Sequence, residues 1–174
     1  MEEVVKIPAD RVAVLLGEKG KTKELLEQKC NIKLTVGEEG EVHLIGETAD
    51  IYFSKDVVLA IGRGFDPDTA LRILNDQQLY IYHLKEYFHS ENAITRIKGR
   101  IIGEGGKTKT EIEDAADCRI SVYGNTVAII AKADSMEYAK QAIEKLINGA
   151  MHLSVYKYLT VVRRKLFEER LRGQ

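Results

Sequence analysis

A seven-residue stretch that occurs twice constrains this chain more than any other feature of its sequence. The letters GEKGKTK at residues 17–23 return as GEGGKTK at residues 103–109, and six of the seven positions agree. The second copy starts 86 residues after the first, at Gly103 against Gly17. That distance is the size of a small domain, so the repeat predicts two copies of one module within the 174 residues.

Apolar spacing predicts the same order of elements, β-α-α-β-β-α, around each stretch. The first copy is expected to contain a strand at Val4–Ile7, a helix capped by Asp10 and ended at Gly17, a helix at Lys21–Lys29, a hairpin of Ile32–Val36 with Val42–Ile45, and a helix from Thr48 to about Ile61 with Phe53 facing inward. A short helix capped by Asp66 follows it.

The second copy is expected to repeat this order at corresponding positions. Its elements are a strand at Leu79–Leu84, a helix capped by Ser90 and ended at Gly103, a helix at Lys107–Ala116, a hairpin of Cys118–Val122 with Thr126–Ala131 turning at Gly124-Asn125, and a helix capped by Asp134-Ser135. A helical tail at Leu153–Arg172 has no counterpart in the first copy. We therefore expect an α+β chain with domains at residues 1–76 and 77–174, the second carrying a basic C-terminal helix.

Composition excludes several classes of protein. With 44% hydrophobic and 30% charged residues the chain is typical of a soluble globular protein, and no apolar run approaches the roughly 18 residues of a membrane span. The start of the sequence does not resemble a signal peptide, so we expect a cytoplasmic protein without a membrane partner. Cys30 and Cys118 lie at nearly matching places in the two copies, which favours matched buried positions. The four histidines are scattered, and we expect no metal and no cofactor.

The net charge of −1 hides an asymmetry between the halves. Residues 1–82 carry 10 lysines and arginines against 15 aspartates and glutamates, a net charge of −5. Residues 83–174 carry 16 against 12, a net charge of +4. A polyanion should therefore prefer the second half of the chain.

The repeated stretch does not fit either of two common nucleotide-binding motifs. A phosphate loop needs a glycine five residues before the glycine that precedes lysine, and Leu15 and Ile101 occupy those positions. It also needs a strand in front of the loop, whereas both copies have an amphipathic helix there. A dinucleotide-binding motif that starts at Gly103 would need its last glycine where Thr108 stands.

A helix, a Gly-x-x-Gly loop and a second helix, in β-α-α-β-β-α order, resemble the KH domain in both copies, over nearly all of residues 1–150. The resemblance implies two tandem type I KH domains, whose glycine loop lets a nucleic-acid backbone approach beside a groove for about four unpaired nucleotides. The residues agree, because glycines remove bulk and the free amides that start the next helix favour phosphate, reinforced by Lys107 and Lys109. Single-stranded RNA is the expected ligand.

One departure from the general KH pattern points to a narrower group. Most KH domains have an apolar residue three positions after the last loop glycine, and both copies here have lysine, Lys23 and Lys109. The string RIIGEGGKTK at 100–109 is similar to the two-KH assembly factors of the small ribosomal subunit, the family of the "partner of Nob" protein and rRNA dimethylase partner. That resemblance implies binding near the 3′ end of small-subunit ribosomal RNA, beside the endonuclease that matures it, and contact with the alpha subunit of translation initiation factor two.

The second copy is predicted to be the main RNA site. Five cations surround its loop against one acid, Glu104, and Gly105 leaves out the side chain that Lys19 supplies in the first copy. The candidate residues are Arg100, Ile102, Gly103, Glu104, Gly105, Gly106, Lys107, Thr108, Lys109, Arg119 and Ile120. A weaker site is predicted at Gly17, Glu18, Lys19, Gly20, Lys21 and Lys23.

Several alternatives stay open at this point. The cations around the loop can also form a solvated helix face, Arg119 can read a base edge or face water, and Ile120 can line the floor of a groove or belong to the core. The tail either extends the RNA path or docks against the first domain. The leading function is a non-catalytic RNA-binding assembly factor, because no acid–base pair, nucleophile or metal cluster is apparent. The rivals are a KH-fold protein-interaction adaptor with weak RNA binding, favoured by the acidic first half, and an enzyme of nucleotide or RNA metabolism.

Overall fold

The chain forms two compact units in the computed structural model, which describes residues 1–173. The units divide between Leu79 and Tyr80, within the strand at Gln77–His83, and each combines helices with one three-stranded sheet. The predicted second domain ends at residue 174, which lies outside the described residues.

The first unit contains a sheet with strand order β1-β3-β2, in which both pairings are antiparallel. Its elements are β1 (Glu2–Lys6), α1 (Ala9–Leu16), α2 (Lys21–Cys30), β2 (Lys33–Val36), β3 (Glu41–Ile45), α3 (Thr48–Gly62) and α4 (Pro67–Ala70). Alternate strand residues such as Leu34 and Leu44, which face each other in the register, are buried with Val57 and Ile61 of α3. One face of the sheet therefore packs against helices to form the core of this unit.

The second unit has the corresponding sheet, with strand order β4-β6-β5. Its elements are β4 (Gln77–His83), α5 (Glu91–Ile102), α6 (Lys107–Ala116), β5 (Cys118–Tyr123), β6 (Thr126–Lys132), α7 (Ala133–Ile147) and α8 (His152–Arg172). Ile120 of β5 faces Ile129 of β6, and both are buried with Ile101 of α5 and Ile112 of α6 in one cluster. The predicted helix at Lys107–Ala116 is confirmed at both ends.

The C-terminal segment is one helix of 21 residues, α8, as predicted within one residue. Val155, Leu159, Val162 and Leu166 recur at helical spacing and are buried in the core of the second unit. Through them α8 packs against α6 and α7. Its apolar stripe is thus part of the core of its own unit, an arrangement that neither predicted role of the tail includes.

Two predicted helix caps are confirmed and two are wrong. Ser90 accepts a hydrogen bond from the Ala93 amide at 3.1 Å, and Asp66 accepts one from the Thr69 amide at 3.0 Å. In contrast, α1 follows Pro8 and α7 follows Lys132, with no side-chain cap at either start. Asp10 and Asp134 therefore lie inside the first helical turn, where a carboxylate favours the positive end of the helix dipole.

The predicted inward position of Phe53 is also wrong. Phe53 is exposed on α3 beside the exposed Tyr52, and their rings meet edge to face with centroids 5.3 Å apart. The helix is apolar on most of its circumference, with Ile51, Val57 and Val58 all buried, so spacing alone could not assign its faces.

The described residues show three further features that bear on function. No helix among them is long and apolar enough to cross a membrane. Cys30 and Cys118 are both buried with free thiols. Within residues 1–173, no group of three or more histidine, cysteine, aspartate or glutamate side chains is arranged to hold a metal ion.

Candidate nucleic-acid interface

The two glycine loops follow the same backbone path. Gly17 has φ 72° and ψ 179°, and Gly103 has φ 76° and ψ 172°. Two residues later, Lys19 has φ 54° and ψ 29°, and Gly105 has φ 61° and ψ 19°. These φ values lie in the left-handed region that favours glycine. The loops therefore differ in one side chain and share their backbone.

The first glycine of each loop is required by a close contact. A Cβ added to Gly103 would lie 2.2 Å from the hydroxyl oxygen of Thr108 and 2.7 Å from its amide nitrogen. A Cβ at Gly17 would lie 2.1 Å from the hydroxyl oxygen of Thr22. At Gly105 and Gly106, in contrast, an added Cβ meets nothing within 4 Å. The outer side of the second loop is thus open to a ligand backbone.

The start of α6 is electrostatically suited to an anion. Among the described residues, no side chain caps this helix, and its first turn contains no acid. The unpaired amides of a helix start and the helix dipole both favour phosphate, and Lys107 and Lys109 lie in the same turn. In the first unit, the first turn of α2 contains Glu24. The second loop is therefore the better anion site of the two.

A polar contact fastens the start of α6 to α8. Thr108 is only 1% exposed, and its hydroxyl oxygen lies 3.0 Å from the hydroxyl oxygen of Tyr156. The ammonium of Lys107 sits over the ring of the same tyrosine, 5.4 Å from the centroid. The C-terminal helix therefore holds the two residues that directly follow the glycine loop. Tyr156 thus packs against the candidate site.

Arg100, near the end of α5, connects the helix before the glycine loop to the end of α7. Its guanidinium donates hydrogen bonds to the carbonyl oxygen of Leu146, at 2.7 Å, and to that of Ala150. The carbonyl oxygen of Arg100 itself lies 2.9 Å from Nε2 of His152. The structure thus directs the charge of Arg100 at the end of α7 and the start of α8. The Arg100 side chain, which the sequence predicted as an RNA contact, is thus already engaged inside the fold.

Glu113, which is not among the residues predicted from the sequence, connects α6 to β5. Its carboxylate accepts a hydrogen bond from the Ile120 amide at 3.0 Å and lies 3.3 Å from the ammonium of Lys109 and 3.7 Å from Nε of Arg119. Glu27 occupies the same place in the first unit, where it accepts a hydrogen bond from the Leu34 amide at 2.8 Å. Its recurrence at one offset in both copies was the signal that could have identified it.

The remaining predicted residues divide between surface and core. Ile102 is exposed at the end of α5, and Arg119 is half-exposed on β5. Ile120 is 4% exposed within the core cluster, so its side chain is not available to a ligand. Lys98, one of the cations near the loop, donates to the carbonyl of Gly124 at 2.9 Å. The structure therefore brings together Ile102, the loop, Lys107, Lys109 and Arg119.

Residues 78–164 match the model of one family, the eukaryotic-type KH domain, or KH-domain type I. A KH domain-containing protein of Methanocaldococcus jannaschii is 40% identical over 170 residues, which cover 94% of this chain and 75% of the relative. The pre-rRNA-processing protein PNO1 of Chaetomium thermophilum is 28% identical over 174 residues, covering 94% and 67% of the two chains.

A solved structure is similar over nearly the same length of the chain. A crystal structure of an a/eIF2alpha-aDim2p-rRNA complex from Pyrococcus horikoshii contains a chain that is 44% identical. The match covers 95% of each chain with a TM-score of 0.88.

Proposed function

Because this chain belongs to the PNO1 family of type I KH-domain proteins, we propose that it is a ribosome assembly factor that binds single-stranded RNA. A KH domain clamps about four nucleotides of backbone against its glycine loop. The observation that carries the proposal is the open, positively charged start of α6, where Gly105 and Gly106 leave room for a phosphate backbone beside Lys107. The role is one of binding, and it assigns no catalytic step.

The proposal includes two tandem KH domains, with a boundary between residues 76 and 80. The family model covers residues 78–164, and three features of the first unit support extending the assignment to it. Its elements follow the same order, and its glycine loop has the same backbone angles. A contact equivalent to the Glu113–Ile120 bond also exists there, between Glu27 and Leu34.

We place the main RNA site at the second loop, with the first loop as a weaker site. The proposed contacts are Ile102, Gly103, Glu104, Gly105, Gly106, Lys107, Thr108 through its backbone, Lys109 and Arg119. Arg100 supports the loop, and Ile120 belongs to the core. The side chain of Lys19 stands where Gly105 leaves open space, and the first unit carries the acidic half of the chain. Both features favour the second loop.

The relatives suggest the target and the partners. The similar Pyrococcus chain was crystallised with rRNA and a/eIF2alpha, and the fungal relative is named for pre-rRNA processing. For this chain we propose the 3′ region of small-subunit ribosomal RNA as ligand, and the alpha subunit of translation initiation factor two and the rRNA-maturing endonuclease as partners. We also propose a cytoplasmic location for this factor.

Matched substitutions in the two loops test the proposal. Gly105→Glu adds one negative charge where a side chain has room, whereas Lys19→Glu changes the charge by two at the same backbone position. We expect Gly105→Glu to weaken binding of a labelled single-stranded RNA with the 3′ sequence at least about tenfold, and Lys19→Glu to have the smaller effect in spite of its larger charge change. Affinity should also fall with added salt. Unchanged binding by Gly105→Glu would contradict the proposal, and equal losses would show that both loops bind.

A second function, as a protein-interaction adaptor, is favoured by one observation on the first unit. Tyr52 and Phe53 are exposed side by side on α3, in the half of the chain with a net charge of −5. Exposed aromatic pairs are common centres of protein interfaces. A variant with Tyr52→Ala and Phe53→Ala that loses binding to a purified initiation factor alpha subunit but keeps RNA affinity would assign this function to the first unit.

A further inference from the structure

One carboxylate pairs with two of the cations beside the proposed RNA site. Glu113 is only 12% exposed, and it lies 3.3 Å from the ammonium of Lys109 and 3.7 Å from Nε of Arg119. Lys109 is in the first turn of α6, and Arg119 is the second residue of β5, half of its side chain exposed. The two cations therefore converge on a single anion at the place where α6 and β5 meet.

The carboxylate has a structural role that can be separated from this charge effect. One oxygen of Glu113 accepts a hydrogen bond from the Ile120 amide at 3.0 Å. Glu27 makes the same bond to Leu34 at 2.8 Å in the first unit, where its nearest lysine, Lys23, is 3.9 Å away. Lys33 stands at the place of Arg119 there. The hydrogen bond from a backbone amide to the glutamate is thus common to both units, whereas Glu113 also lies within 4 Å of two cations.

An approaching phosphate competes with Glu113 for the same cations. A phosphate that binds Lys109 or Arg119 must share these cations with the carboxylate, so part of their attraction for RNA is already offset. The trio has a net charge of +1 with Glu113 ionised and +2 with a neutral side chain in its place. The field that RNA meets at this point is set by the glutamate.

We propose that Glu113 is a positioning residue that acts as an internal counter-ion. It pairs with Lys109 and Arg119 and so limits the affinity of the second loop for RNA. The inference rests on the proposed function of that loop. It explains why lysine is accommodated three residues after the loop, since Lys109 is paired one helical turn later with Glu113. Removing the carboxylate charge should strengthen binding, the opposite of what loss of a supporting contact would do.

The test is Glu113→Gln, which keeps an oxygen that can accept from the Ile120 amide. We expect RNA affinity to rise about threefold at low salt, the range of an exposed ion pair. The plot of log affinity against log salt should steepen by about 0.7 for each cation released. Glu27→Gln, the matched control in the first unit, should change both quantities less, because it frees only Lys23, beside the weaker site. A loss of affinity in Glu113→Gln, or an unchanged salt slope, would overturn the proposal.

Two further measurements keep the outcomes separate. In a chain that already carries Lys109→Met and Arg119→Met, Glu113→Gln should give no gain in RNA affinity, because no cation remains to be released.

Single substitutions take the place of Glu113→Gln if thermal unfolding shows that it does not fold. Lys109→Met should then cost less RNA affinity than Lys107→Met, and an equal or greater cost would refute the proposal. A wild-type protein that does not bind RNA would instead overturn the proposed function.

Discussion

The hydroxyl groups of Thr108 and Tyr156 lie 3.0 Å apart, and this contact joins the residue after Lys107 to the second turn of α8. Thr108 is also the residue that forces glycine at position 103, since its hydroxyl fills the space of a Cβ there. One buried threonine therefore couples the start of the glycine loop, the start of α6 and the C-terminal helix.

Replacing Tyr156 by phenylalanine should loosen this coupling. The change removes the partner of the buried Thr108 hydroxyl and should lower the free energy of unfolding by about 1 kcal/mol. RNA affinity should fall several-fold, because the start of α6 is held less firmly. Chemical denaturation and RNA titration measure the two effects. Tyr158→Phe is the matched control, because its hydroxyl bonds to Gln141 at 2.7 Å, within the contact of α8 with α7. RNA affinities that fall equally in both variants would argue against a special role for Tyr156.

Alanine substitutions at two glycines near the end of α5 should change the free energy of unfolding in opposite directions. Gly103→Ala places a Cβ 2.2 Å from the Thr108 hydroxyl at φ +76°, and should cost about 2 kcal/mol or more of unfolding free energy. Gly99→Ala lies within the helix with nothing within 4 Å of the new Cβ, and should stabilise by about 0.5–1 kcal/mol. Urea unfolding of both variants checks the prediction, which fails if Gly103→Ala is neutral.

Substitutions of Arg100 and Lys107 should have different effects, the first on stability and the second on the salt dependence of RNA binding. Arg100→Met removes the donors to the carbonyls of Leu146 and Ala150 and should cost about 2–3 kcal/mol of stability, because partly buried acceptors lose a charged partner. The salt slope of RNA binding should not change. Lys107→Met should leave stability nearly unchanged and reduce the salt slope by about 0.7. A reduced salt slope in Arg100→Met would mean that its guanidinium does contact phosphate.

Alkaline pH should destabilise the second unit through Cys118. Burial raises the pKa of this thiol well above its ordinary value, so the folded state keeps a proton that the unfolded chain releases. Stability is then fully present below the unfolded pKa of about 8.5 and falls above it, by about 1.4 kcal/mol per pH unit for one such group. Unfolding titrations from about pH 8 to 10 measure this slope. In Cys118→Ala the slope should be shallower by about one proton; an identical slope would contradict the prediction.

The repeat explains why so much of the fold could be predicted from the sequence. Gly106 takes a left-handed conformation before α6, and Asp117 takes one directly after it, so both ends of this helix follow from local chemistry. The same loop recurs in the first unit with Asn31 at the place of Asp117. Local signals of this kind need no knowledge of the tertiary structure.

What the sequence could not indicate depends on contacts between distant elements. Arg100 lies beside the loop in sequence, yet its guanidinium turns to carbonyls 46 and 50 residues away. Ile120 alternates correctly for a strand, but only the packed sheet decides which face is covered. Helices α1 and α7 begin earlier in the chain than predicted. A proline and a lysine precede them, and because neither has a capping oxygen, the sequence carries no cap signal at these starts.

The contact between Tyr156 and Thr108 spans 48 residues of chain, which has a consequence for synthesis. The strands of the first unit can pair as soon as residue 45 has emerged, because Glu2 faces Ile45 in the register. The second glycine loop emerges long before the helix that fastens it. During translation the chain therefore passes through a stage at which Gly103–Gly106 is present without its support, and the RNA site should mature only when α8 has joined the fold.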